Sequence, residues 1–395
     1  MQASLGTPLS KIKLATHPRS FEKQAKPKAR NPTLDIFRGV AVLLVMFNHI
    51  YIIDPVAVTN PVIKGLRQVI GYLFTGGWIG VDLFFVLSGF LISGLLFKEY
   101  EKTADFQPTR FLIRRGFKLY PSFICFLIIT FCFEVFYYSR ASPDFPRFQD
   151  YLKDLIFMNN YAGGRWSHTW SLAVEEHFYI LLSVYFLVSV RYKVITFKTF
   201  AYTYVALMVV ALTSRVYLNV QYPTYDFDLH YTLTHARISA LFYGVFISYC
   251  YHFRREQLVG FLQRWKVWLL VLACSFLATN FIFAREENSW ISMISLSVNP
   301  LCFSVLLLVA LNFTGSFFKE GILSYIGQQS YNIYLWHVFM NSIIYHLFIN
   351  HLANQYMWLL YMASFFVASF LAGIFFTKVV EIPLLKVREK IAALR

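Results

Sequence analysis

Apolar runs alternate along the chain with short polar segments, and each run is close to the roughly 20 residues that a bilayer-spanning helix needs. They predict spans at about 35–54, 72–97, 119–138, 178–190, 199–220, 232–251, 267–284, 291–313, 329–349 and 357–379. The fourth is short, so it either extends back toward Glu175 or tilts little. No internal repeat breaks the pattern. The longest polar loop, 139–177, is too short for an independent domain. The fold class is therefore an all-α polytopic membrane protein of about ten transmembrane helices.

Composition agrees with lipid as the solvent. Hydrophobic residues make up 57% and charged residues 14%, against roughly 25% charged in a soluble domain. Mean hydropathy is +0.51. The 42 Phe, 26 Tyr and 8 Trp suit interfaces where an apolar ring carries a polar edge. The five cysteines all lie in apolar runs, without metal-ligand spacing, and read as small core residues.

The net charge of +15 does not imply nucleic acid, because it is not gathered on a globular face. It sits between apolar runs, as the positive-inside rule requires. With both termini in the cytoplasm, 27 of the 36 Lys and Arg fall inside and 7 outside, and Arg215 and Arg237 lie within spans. Residues 1–32 are basic and polar and read as a disordered cytoplasmic tail, with an amphipathic surface anchor as the weaker alternative. The first apolar run begins too late for a secretory signal. The transmembrane domain occupies 33–383, and 384–395 form a basic cytoplasmic C-terminal tail.

Ionisable residues inside these runs are the candidate working parts. Arg38 and His49 share the first span, eleven residues or about 16 Å apart on nearly one helix face. Arg38 also reads as a snorkelling anchor, and His49 as a hydrogen-bonded structural histidine. Asp82 lies in the glycine-rich start of the second span and needs a partner at that depth. A histidine would have its tautomer fixed there; a structural pair with Arg237 or Arg215 is the alternative. The glycines around Asp82 allow close helix contact or a local break.

Arg114, Arg115 and Lys118 put three cations in five residues before Pro121, able to hold phosphates or to anchor the helix on its positive side. The segment Trp170-Ser171-Leu172-Ala173-Val174-Glu175-Glu176-His177 brings two acids and a histidine against an apolar helix, with Glu175 and Tyr179 at i,i+4. Arg237 lies in the sixth span, and Tyr334 and His337 in the ninth. Together these residues suggest a basic inner layer (Arg38, Arg114, Arg115, Lys118) below an outer acid/base layer (His49, Asp82, Glu175, Arg237).

In combination, these segments resemble the membrane acyltransferase-3 family over about residues 33–383. The matches are Arg38 and His49 with ten residues between, Gly-Val-Asp-Leu-Phe-Phe-Val-Leu-Ser-Gly-Phe at 80–90, and Arg-Arg-x-x-Lys-x-x-Pro at 114–121. Trp-Ser-Leu-x-Val-Glu-Glu at 170–176, Arg237 in Ala-Leu-x-x-Gly context, Ser-Tyr-x-Ile-Tyr-Leu-x-His at 330–337 and a terminal Glu-x-Pro complete the set. Lys118 stands where a third arginine is usual, and His177 where glutamine is commoner.

The resemblance implies a multi-pass protein of the bacterial inner membrane, without a permanently bound cofactor or metal. It implies transfer of an acyl group, usually acetyl, from cytoplasmic acetyl-CoA or another acyl-CoA to a hydroxyl of an extracytoplasmic glycan. O-antigen, capsule, exopolysaccharide and peptidoglycan are the acceptors implied. His49 would be the general base, oriented by Asp82 or Glu175, with Arg237 or a helix terminus at the oxyanion. Arg38, Arg114, Arg115 and Lys118 would hold the acyl-CoA phosphates. Trp170, Ser171, Tyr334 and His337 would serve acceptor binding or structure. A lipid or small-molecule acceptor such as a macrolide is the alternative within this chemistry. A transporter is the rival from another class, weakened because no paired broken segments recur in two halves.

Overall fold

The computed structural model describes residues 31–51, 58–284, 289–313, 319–352 and 354–393. The expected N-terminal tail therefore lies almost wholly outside the described residues. These are mostly helical, with no strand among them. In chain order the α-helices are α1 (Pro32–Asn48), α2 (Pro61–Gly76), α3 (Ile79–Thr103), α4 (Pro108–Tyr137), α5 (Phe148–Leu155), α6 (Asn159–Ala162), α7 (Trp170–Arg191) and α8 (Phe197–Gln221). They continue with α9 (Thr234–Phe253), α10 (Arg255–Thr279), α11 (Ser289–Phe313), α12 (Ile322–Gln328), α13 (Ser330–Phe348), α14 (Gln355–Phe376) and α15 (Ile382–Ala393).

Local chemistry sets many of these boundaries. Pro61 and Pro108 open α2 and α4, where a missing N–H costs nothing. The side chains of Asn60, Thr196 and Asn354 cap α2, α8 and α14 by accepting from backbone N–H groups of the first turn.

Among the described residues, seven helical segments are long and apolar enough to cross a membrane: α3, α4, α7 with its preceding turn, α8, α10, α11, and α14 continued to Lys390. Helices α1, α9 and α13 occupy other expected runs but fall outside that set; α1 has only 17 residues. Span α3 is the most enclosed, with 78% of its apolar window buried, whereas α8 and α10 have 22% and 17%. The polar groups on α3 therefore sit at the centre, and α8 and α10 present apolar side chains outward.

The structure corrects two expectations. The run at 72–97 is not one helix: α2 ends at Gly76 and α3 begins at Ile79. Its glycines do both things expected of them. A Cβ at Gly80 would stand 2.5 Å from the Ala41 carbonyl oxygen, so α1 and α3 approach backbone to backbone. A methyl at Gly89 would meet the Leu241 carbonyl at 1.9 Å, which sets the α3–α9 contact in the same way. The second correction is α7, which begins eight residues before the apolar run and takes Glu175, Glu176 and His177 out of the loop. Most of 384–395 belongs to α15, which follows a π-helical turn, Thr377–Glu381.

The loop between α4 and α7 is folded. Arg165 donates to Glu134 at 2.8 Å, and Tyr151 donates to the same carboxylate at 2.9 Å. Asp154 accepts from the backbone N–H groups of Arg165 (2.9 Å) and Trp166 (3.2 Å) and from the Thr169 hydroxyl (3.3 Å). Burial nevertheless pushes the Asp154 carboxyl up to about 7, outweighing those three donors. This clasp holds the turn Ser167–Thr169, and with it His168, against the bundle.

Candidate active site

The site begins where α1 stops. His49 follows its last residue, and His49 Nδ1 lies 2.8 Å from the Val45 carbonyl. A carbonyl only accepts, so Nδ1 carries the proton and the neutral ring has its lone pair on Nε2. The Asn341 amide donates to the His49 carbonyl at 2.5 Å, and Tyr361 donates to Asn341 Oδ1 at 2.6 Å, fixing the strand of chain that carries the imidazole.

Two further histidines adjoin it. The His337 ring meets His49 edge-on, with centroids 4.8 Å apart and an interplanar angle of 85°. The His168 ring lies 5.4 Å from His337 at the same angle. His337 Nδ1 donates to the Tyr334 carbonyl and His168 Nε2 to the Leu335 carbonyl, at 2.5 and 3.1 Å. Their other ring nitrogens are buried without a hydrogen-bond partner among the described residues. Tyr334 donates its hydroxyl to the His168 carbonyl at 2.6 Å. Ser171, 2.6 Å from the Tyr334 oxygen, must then be the donor in that second bond. Among the described residues, no group of three or more His, Cys, Asp or Glu is arranged to hold a metal ion.

Asp82 joins Arg237 rather than a histidine. Arg237 Nη2 donates to Asp82 Oδ1 at 2.6 Å, and the Asn299 amide donates to Oδ2 at 3.0 Å, so both oxygens are engaged. Neither charged side chain is exposed. Arg237 is also wrapped by the rings of Tyr231, Phe85 and Trp170, at 4.6, 5.4 and 5.5 Å. Its Nε and Nη1 have no hydrogen-bond partner among the described residues. A second buried arginine, Arg215, donates to the Ala236 carbonyl and Ser297. Arg215 makes no ion pair with Asp82 among the described residues but lies within electrostatic reach of it, so two guanidinium groups stand near one carboxylate and the region carries excess positive charge.

Glu175 belongs elsewhere. It accepts from Ser88 at 3.0 Å and from Tyr179 at 2.7 Å. Ser88 is six residues past Asp82 on α3, about 9 Å along the axis. This displaces Glu175 from the layer of His49 and Asp82 toward the end of the bundle where α1 begins. There it lies within electrostatic reach of Arg38 and Arg115. The expected grouping of His49, Asp82, Glu175 and Arg237 therefore separates: Asp82 and Arg237 are joined, His49 sits with histidines, and Glu175 faces the basic cluster.

That cluster is already partly neutralised. Arg114 pairs with Glu99, and Lys118 pairs with Glu381. Glu381 is held in turn by the Asn332 amide at 2.9 Å, so the terminal Glu-x-Pro segment serves as a counter-ion to the basic motif. Arg38 is 4.0 Å from Asp35. Arg115 has a buried Nε with no hydrogen-bond partner among the described residues.

Hydropathy and motif spacing missed His168, Asn299 and Asn341. His168 lay in an apparent loop, although it stands two residues before Trp170 in the Trp166–Trp170 aromatic segment. The two asparagines are neutral residues in apolar helices, and nothing local distinguishes them from ordinary packing.

The family described as acyltransferase domain matches residues 31–378. "Putative O-acetyltransferase SAS0844" of Staphylococcus aureus (strain MSSA476) is 26% identical over 349 residues, covering 83% of this chain and 53% of the relative. "O-acetyltransferase OatA" of Staphylococcus aureus (strain NCTC 8325 / PS 47) is 26% identical over 318 residues, covering 71% and 51%. The chain thus spans about half the length of these curated relatives. No solved structure matches it.

Proposed function

The chain belongs to the acyltransferase-domain family, and from that premise we propose that it transfers an acetyl group from acetyl-CoA to a hydroxyl of an extracytoplasmic cell-envelope glycan. The proposal includes about ten spans in a bacterial inner membrane, both termini in the cytoplasm, and a donor arriving from that side. The names of the relatives support O-acetylation. The positive-inside distribution of Lys and Arg supports the orientation.

One observation carries the mechanism: the Val45 carbonyl fixes the tautomer of His49 and so makes Nε2 the basic nitrogen. His49 Nε2 takes the proton of the acceptor hydroxyl as its oxygen attacks the thioester carbonyl. An ester C–O bond forms, the C–S bond breaks, and the thiolate leaves with that proton as free CoA thiol. The unpartnered Nε and Nη1 of Arg237 support a role at the oxyanion. Asp82 supports it by holding the guanidinium. Arg115, Arg114, Lys118 and Arg38 bind the phosphates of the donor, and Glu175 orients Arg115 among them. Ser171, Tyr334 and His337 shape the acceptor side, and Trp170 packs against Arg237.

Purified protein in liposomes tests this reading. Supplied with acetyl-CoA on one face and envelope glycan on the other, it should release thiol and acetylate the glycan. His49→Ala should stop both. Undiminished turnover in that variant, or solute transport without a covalent product, would overturn the reading.

A further inference from the structure

The end of the bundle where α1 stops carries a pair of tyrosines beside the histidine cluster. Tyr51 stands two residues past His49, so the two Cα atoms are within about 7 Å of each other. Tyr51 is 45% exposed. Its ring packs against that of Tyr345, near the C-terminal end of α13, with centroids 4.3 Å apart and planes tilted by 42°. Tyr345 is half-buried.

A third tyrosine holds the pair in place. Tyr361 on α14 is fully buried, and its ring meets that of Tyr345 edge-on at 6.4 Å. Its hydroxyl accepts from the Tyr51 backbone N–H at 3.1 Å and donates to Asn341 Oδ1. Asn341 donates in turn to the His49 carbonyl. One chain of hydrogen bonds thus fixes Tyr51 and His49 relative to each other. Tyrosines that only line a membrane interface need no such tie to a histidine.

The aromatic surface continues away from His49. The His346 ring lies 5.8 Å from that of Tyr345, and the ring of Tyr137, 55% exposed, lies 6.2 Å from His346. His346 Nδ1 donates to the Ser342 carbonyl at 2.7 Å, which makes Nε2 of this exposed residue a hydrogen-bond acceptor. These rings are apolar on their faces and polar at their edges. A pyranose has the matching form, with a face of C–H bonds and a rim of hydroxyls. An acyl chain would leave the polar edges unused, and no lysine or arginine among these four side chains favours an anionic head.

We propose that Tyr51 and Tyr345 form the acceptor subsite. The sugar whose hydroxyl reaches His49 stacks on the exposed ring of Tyr51, and the next sugar runs over Tyr345 toward His346 and Tyr137. This rests on the reading of the chain as a glycan O-acetyltransferase and names the side chains that hold the acceptor. Tyr51 takes no part in the proton transfer, so its loss is a loss of binding.

Two measurements on the full chain in nanodiscs test it. Saturation-transfer NMR reads binding without turnover, with chitotetraose, an N-acetylglucosamine tetramer, as the probe. Sorbitol, a polyol without a ring face, is the control. The native protein should transfer saturation to the C–H protons of chitotetraose and not to sorbitol. Tyr51→Ala should weaken chitotetraose binding about fivefold, the scale of one aromatic contact. Tyr51→Phe keeps the ring face and should recover most of that loss. In turnover with envelope glycan, Tyr51→Ala should raise the KM for the glycan by a similar factor and leave the KM for acetyl-CoA unchanged. No transfer to chitotetraose in the native chain would overturn the proposal, as would undiminished binding in a folded Tyr51→Ala protein or an equal loss in Tyr51→Phe. If Tyr51→Ala fails to fold, Tyr345→Ala and the sorbitol comparison decide. Native protein that binds chitotetraose through Tyr51 but releases no CoA thiol would strike the acyl-transfer reading and leave a sugar subsite in place.

Discussion

The Asp82 carboxylate and the Arg237 guanidinium meet at 2.6 Å with neither side chain reaching the surface. Each holds the other in a charged state that the surrounding packing could not otherwise tolerate. Removing one partner of such a pair costs about 3–5 kcal/mol, because the other is left buried and uncompensated. Asp82→Ala should therefore lower thermal stability sharply, since it leaves Arg237 and Arg215 without a carboxylate. Asp82→Ala combined with Arg237→Met should recover part of that loss while remaining inactive. Melting curves of the single and double variants in one detergent measure the coupling. Strictly additive losses would show that the pair contributes nothing to the fold.

His49 and His337 differ in what their replacement should do. His49→Ala should reduce CoA thiol release by at least about 10²-fold, the usual scale for loss of a general base. His337 touches the His49 ring edge-on and is fully buried. His337→Asn should leave a folded protein with a smaller loss, expressed as a raised KM for the acceptor with acyl-CoA affinity unchanged. Steady-state kinetics against each substrate separate these outcomes. Equal loss in kcat for both variants would place His337 in the proton transfer itself.

The helices were legible because each apolar run is long and the polar breaks are short. The interruption at Gly77-Trp78 is legible only as one of two readings of the glycines around Asp82, because hydropathy is continuous there and close approach to α1 accompanies the break. The Asp82–Arg237 pair was visible as one of two alternatives, since an acid at depth needs a partner and few cations are within spans. Motif order places Glu175 with His49 and Asp82, whereas the structure sets it beside the basic cluster. Its depth follows from the folded loop and the early start of α7, whose energetics lie in Asp154, Glu134 and Arg165 rather than in any local pattern. His168 escaped for the same reason.

The basic motif should show a graded response. Arg114 and Lys118 already have carboxylate partners in Glu99 and Glu381, so a phosphate must displace those carboxylates to gain full contact. Glu99→Gln and Glu381→Gln should each lower the KM for acyl-CoA by a few-fold at low ionic strength, with the gain shrinking as salt is added. Arg114→Ala with Arg115→Ala should raise it by at least about tenfold, the loss of one or two charge-assisted hydrogen bonds. Acyl-CoA titrations at two salt concentrations provide the measurement. An unchanged KM in all of these variants would remove the phosphate-binding role from this cluster.

Asp154 should make the loop respond to pH near neutrality. Its carboxyl titrates at about 7 in the folded protein, whereas an exposed aspartate titrates near 3.9. The folded state therefore binds this proton more tightly than the unfolded state does, and stability from this group is fully present below about pH 4. It declines as pH rises toward 7 and is lost above that value. The melting temperature should accordingly fall between pH 5.5 and 8. Asp154→Asn keeps an acceptor for the Arg165 and Trp166 N–H groups without an ionisable proton, so its melting temperature should be flatter over the same range. Because this clasp positions His168 beside His337, native acceptor turnover should decline as the clasp loosens above about pH 7, and Asp154→Asn should reduce that decline. An identical pH dependence in the native and Asp154→Asn proteins would assign the titration to another group.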